Sequence, residues 1–103
     1  MSARQRKLTP GEARQKALEL WEKGWVVIRP HARRRARERH FDEQDIENVL
    51  GKGEMASGSR WDPEHQNWEY EVRGLDIDGN RLAIVFAFEP ELTELYVITG
   101  KDW

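Results

Sequence analysis

The apolar residues of this chain change their spacing once, around Gly51 to Gly53, and that change limits the fold more than any other feature. Before it, Ala13, Ala17, Leu20 and Trp21 recur at helical spacing with Leu18 beside them, and Ile46, Val49 and Leu50 do the same. After it the period is two: Trp68, Tyr70 and Val72 alternate with Glu69, Glu71 and Arg73. Helices segregated from strands in this way predict the α+β class, with two or three N-terminal helices packed on a three- to four-stranded antiparallel sheet.

Boundary residues sharpen the elements. Thr9 reads as an N-cap, Pro10 as the first helical residue and Glu12 as the partner in a capping box, so a helix is predicted over 10–23, with Gly24 as its stop. Trp25 to Ile28 is short and β-branched, an edge strand or an extended lead-in. Pro30 opens a second helix, to Arg39, and Asp42 with Asp45 opens a third that ends at Gly51. A weak strand is expected over Met55 to Trp61 and an exposed loop over Asp62 to Asn67. Leu75 and Ile77 fall out of phase with Trp68–Val72, which predicts a bulge near Arg73-Gly74. Asp78-Gly79 is a two-residue hairpin signal leading into Arg81 to Phe88. That strand is apolar on both faces and is expected to be central. Ala83, Val85 and Ala87 are assigned to the helix side, since small residues admit a helix closely, and Leu82, Ile84, Phe86 and Phe88 to the other. Leu95 to Thr99 is the last strand. The chain is read as one domain, 1–103, with residues 1–8 a flexible basic tail.

There is no cysteine, which excludes disulfides and thiol chemistry. No apolar run reaches membrane-spanning length, and the basic start lacks a signal-peptide core, so no membrane partner and a cytoplasmic location are expected. Charge is unevenly spread. Residues 1–40 carry twelve Lys/Arg against four acids, net +8, and residues 41–103 carry five against fifteen, net −10. A basic face could meet a polyanion or an acidic protein; equally, the two halves could pair with each other.

The densest basic segment is Arg29 to His40, with six arginines, two histidines and one glutamate in twelve residues. On a helical wheel His31, Arg35 and Arg39 form one row, Ala32 and Ala36 an adjacent apolar row, and Arg33 and Arg37 point to solvent. If the alanines dock, a site would use the His31–Arg35–Arg39 edge; the plainer alternative is that Arg35 and Arg39 pair with sheet carboxylates. His31, His40 and His65 show no His-x-x-x-His spacing, and Gly51-Lys52-Gly53 is too short for a phosphate loop, so neither metal nor cofactor is expected.

The run Ile28-Arg29-Pro30-His31-Ala32-x-x-Arg35-x-x-x-Arg39-x-Phe41, followed by Asp45-Ile46, Val49-Leu50 and a terminal Tyr96-Val97-Ile98-Thr99, resembles a widespread family of small bacterial proteins carrying a domain of unknown function. The resemblance spans about residues 26–99 and leaves the first helix outside. It departs from the family at Arg29, where Ser is usual and a helix cap is lost, at Ala36, which replaces a larger apolar residue, and at His40, which replaces Gly. The family is similar in fold to RelE- and BrnT-like toxins, which implies a RelE-like, metal-independent ribonuclease of a toxin–antitoxin system.

Such chemistry needs a base for the 2′-hydroxyl, an acid for the leaving oxygen and cations for the phosphorane. His31 can titrate near neutrality, and Arg35 and Arg39 can fork onto phosphate oxygens. The second proton carrier is sought in the sheet, with Tyr70 first and Glu69, Glu71 and His65 as alternatives. Arg33, Arg34, Arg37 and Trp61 are candidate RNA contacts, Trp61 and Trp68 by stacking, although core packing is the plainer role for Trp68; His40 and His65 read equally as a cap and a loop residue. RNA and an antitoxin or other acidic protein are the partners expected. The competing readings are a non-catalytic interaction module and an RNA binder without cleavage.

Overall fold

The computed structural model describes residues 4–103. In chain order the elements are α1 (Pro10–Lys23), β1 (Val26–Ile28), α2 (Pro30–Arg39), α3 (Glu43–Lys52), β2 (Glu54–Met55), β3 (Arg60–Asp62), β4 (Asn67–Leu75), β5 (Arg81–Phe88) and β6 (Leu95–Lys101). The α+β class holds, but the sheet is larger than expected and mixed. It has six strands in the order β1-β6-β5-β4-β2, with β3 also on β4, and β1 runs parallel to β6. Two- and three-residue strands are too short to show a period, which is why β2 and β3 merged into one weak strand in the sequence.

The helix signals act as read except at Gly51: α3 continues past it to Lys52 and is capped by Gly53. Thr9 and Glu12 form the capping box of α1, Asp42 and Asp45 that of α3, and Gly24 ends α1 in the left-handed region at φ 78°. Helix α2 begins at Pro30 without any side-chain cap, as the Arg29 departure implies. It ends at His40, exposed, with φ 58°. A side chain in this left-handed region costs about 1–2 kcal/mol. His40→Gly is expected to stabilise the chain by about 1 kcal/mol, a rise in melting temperature of roughly 4–8 °C by thermal unfolding.

All three helices lie on one face of the sheet. Leu82, Ile84, Phe86 and Phe88 pack into the core with Ala13, Ala17, Leu20, Ala32, Ile46, Val49 and Leu50. The assignment of β5's faces is therefore corrected: the large set meets the helices, and the small residues that admit close approach are on the helices. Ala83 and Ala87 are buried on the open face, Ala83 between Arg73 and Lys101 in register. The bulge is also relocated. The β4–β5 register is unbroken through Arg73 and Gly74, and the irregularity sits opposite Val85/Phe86, leaving Ile98 of β6 unmatched. Leu75 and Ile77 change phase because β4 ends at Leu75, not because it bulges; Asp76 to Asn80 form a longer turn than Asp78-Gly79 suggested.

The expected tail is docked where it is described. Leu8 is buried and its amide donates to Tyr70 Oη at 2.9 Å. Gln5 accepts from the Trp68 backbone amide and indole and reaches Glu89 O. Residues 1–3 of that expectation lie outside the described residues.

Candidate functional site

Pleating puts Glu69 and Glu71 on the face opposite Tyr70 and Val72, away from the helices. On that open face a groove of about 320 Å³ is lined by Arg29, Pro30, His31, Asp62, His65, Asn67, Glu69 and Ile98. It brings the first turn of α2 against the β3–β4 turn. Two histidines from distant parts of the chain thus share one groove. His65 belongs to the expected exposed loop, whose turn is built by Asp62: one carboxylate oxygen accepts from Glu64 N at 2.9 Å, and the other lies 2.7 Å from His65 Nδ1. The hydrogen bond from His65 holds the Asp62 carboxyl below its usual range.

The partners of the two rings assign their protons. Ionised Asp62 can only accept, so His65 Nδ1 carries hydrogen and the neutral ring keeps its lone pair on Nε2. His31 Nδ1 lies 3.1 Å from the Arg34 guanidinium, which can only donate, so the neutral His31 ring carries its hydrogen on Nε2. In these neutral forms His65 offers a lone pair at Nε2 and His31 an N–H at Nε2. Cations lie beside them: Arg34 on His31, and Arg29, whose guanidinium covers Tyr96 at 4.3 Å and whose Nε is buried with no partner among the described residues. Glu69 is held by Arg60 at 2.8 Å.

The other sequence candidates are placed elsewhere. Arg35 and Arg39 line a separate cavity of about 420 Å³ with Phe41 and Asp102, so the expected His31–Arg35–Arg39 edge is divided between two sites. Arg35 Nε donates to Gly100 O and its Nη1 pairs with Glu38; Arg39 pairs with Asp102. Neither meets Glu69 or Glu71. Glu71 lies outside the groove: burial pushes its carboxyl up, but Lys101 and Arg73 outweigh that and hold it below the usual range. Trp61 packs edge-on to Trp68 with Arg4 over its ring at 4.1 Å, so that face is already covered. Arg33 faces the β1 edge, and Arg37 is exposed. Arg14 is drawn away from α2, donating to the carbonyls of Leu50, Gly51 and Gly53 at the end of α3.

Tyr70, the first choice for second proton carrier, is corrected. It is buried in the core, stacked with Phe86, and its oxygen accepts from Leu8 N. Burial pushes its hydroxyl above the ordinary value. Tyr70→Phe is expected to cost about 1–3 kcal/mol by orphaning the Leu8 amide. The pH dependence has a definite sign. The unfolded tyrosine ionises first, near pH 10, so stability falls as pH rises from there toward the raised folded value. Urea unfolding at alkaline pH should show that slope in the parent chain and less of it in Tyr70→Phe.

Sequence reasoning missed Asp62 and the position of Arg29. The signal for Asp62 was an Asp-Pro turn start three residues before a histidine. That turn also gathers one ligand atom each from Asp62, Glu64 and His65 within 4.8 Å of one another, a grouping the search for His-x-x-x-His could not find. Among the described residues no helix is long and apolar enough to cross a membrane. No curated protein and no solved structure matches the chain. One family model does match, over residues 28–99, a span that contains α2, α3 and β2–β5 and leaves α1 outside. The chain accordingly belongs to the family described as Domain of unknown function (DUF4258).

Proposed function

We propose that this protein is a metal-independent, toxin-like endoribonuclease acting on single-stranded RNA, with an acidic protein as its cognate partner. The observation that carries the reading is the pairing of His31 and His65 in one groove with opposite hydrogen-bond roles. In the proposed reaction His65 Nε2 takes the proton of a ribose 2′-hydroxyl, which attacks the adjacent phosphorus. The bond to the 5′-oxygen breaks, and His31, entering the step as the imidazolium with Arg34 swung off its Nδ1, supplies that oxygen with a proton and is left neutral. Arg29, Arg34 and the uncapped amides of α2's first turn face the phosphate, where charge builds up. Asp62 orients His65. The same reaction class is what the sequence resemblance to a family similar to RelE- and BrnT-like toxins would imply, by analogy of fold alone.

The test is incubation of the purified chain with a single-stranded RNA in excess chelator. The expected product is RNA ending in a 2′,3′-cyclic phosphate, and expression without the genomic neighbour should slow growth and degrade RNA. Intact RNA, or 3′-hydroxyl ends that require added metal, would overturn the reading.

A further inference from the structure

The sheet is open at β1. In a parallel pair, alternate residues of a strand bond to the neighbour. Trp25 O accepts from Leu95 N at 2.9 Å and Arg29 N donates to Val97 O at 3.0 Å, with Val26–Ile28 aligned on Leu95–Val97. This spacing turns the N–H and C=O of Val26 and Ile28 outward. Among the described residues no strand lies beyond them. Apart from being short, β1 carries none of the devices that blunt an edge, such as a lysine, a proline or a bulge.

The surroundings select what could pair there. A groove of about 280 Å³ runs along the edge, floored by Trp21, Val26 and Ile28 and flanked by Arg33 and a single carboxylate, Glu43. Trp25 stands at its end, 53% exposed, with Lys23 Nζ 5.3 Å from the ring. Arg33 and Arg37, one turn apart, are exposed and make no ion pair among the described residues.

We propose that this edge takes an extended segment of a partner protein as an added strand, one in which acidic and apolar residues alternate. The segment's backbone bonds to Val26 and Ile28. On the open face its apolar side chains cover the exposed Trp25 and Val27, and on the helix side its carboxylates meet Arg33 and Arg37. A second copy of this chain is disfavoured, because β1 against β1 would bring two arginine-rich α2 helices together. The inference does not rest on RNA cleavage, and its test does not read it.

The probes are two capped heptapeptides, Glu-Val-Glu-Val-Glu-Val-Glu and its lysine counterpart, titrated into the full chain with ¹⁵N-detected amide exchange. The acidic peptide should slow exchange at Val26 and Ile28 and bind at least about tenfold more tightly than the basic one. Val26→Pro removes an outward N–H that β6 does not use, and should abolish that binding while keeping the fold. Arg33→Glu should weaken the acidic peptide and strengthen the basic one, a reversal that mere loss of packing cannot produce. Equal binding of the two peptides, unchanged exchange at Val26 and Ile28, or concentration-dependent self-association through β1 would overturn the proposal.

Discussion

Single-turnover cleavage of RNA is expected to slow by about 10²–10⁴-fold in both His65→Ala and His31→Ala, the usual loss when a positioned acid or base is removed. Neither change should unfold the chain, because both side chains are exposed. The double variant should lose little more than either single one, since two groups serving one proton relay act as a unit. Asp62→Asn provides a finer test. Asn can offer its own carbonyl oxygen to His65 Nδ1–H, so the ring is still held, but the charge is gone; the rate should fall less than in His65→Ala. Arg35→Ala sits in the other cavity and should lower stability more than rate. A chain that cuts RNA at full rate without His65 would remove the basis for pairing it with His31.

The second large effect is expected at Gly53. A Cβ built there would come within 2.6 Å of Val49 O and 2.7 Å of Arg73 O, both backbone atoms that cannot swing aside. Gly74 approaches Gly53 from β4 in the same way, so the end of α3 lies directly on the strand. Arg14 secures this junction from α1. Gly53→Ala must therefore move a helix or a strand and is expected to cost about 3 kcal/mol or more, at the upper end for overpacking. Gly51, two residues earlier in α3, has nothing within 4 Å of a built Cβ. Gly51→Ala should stabilise by roughly 0.5–1 kcal/mol, because alanine is the better helix former. Opposite signs in urea unfolding at two neighbouring glycines would confirm that contact decides the outcome; equal small effects would refute it.

Much of the scaffold was legible because local rules produce it. Capping boxes at Thr9 and Asp42, Pro30, and the strict alternation in β4 act within a few residues. What was not legible depends on register between distant segments. The parallel pairing of Val26 with Leu95 has no local signature, and neither does the side of β5 that meets the helices, since both sides are apolar. The site divides in the same way. His31 stood out by its setting, but its counterpart could be found only once β3 and β4 placed Asp62 and His65 across from α2. Tyr70 misled because an alternating strand marks it as facing one side without saying that the side is the core. The His31–Arg35–Arg39 row is a true helical row, yet β6 passes beneath it, and its two ends open into different cavities.

The placement of β1 beside β6 also sets an order of events during synthesis. Val26 cannot find Leu95 until nearly the whole chain has left the ribosome, so α1 and the arginine-rich α2 emerge first and wait without their sheet. A stalled or truncated chain ending before Leu95 would therefore leave β1 without its neighbour and could not form a smaller version of this fold.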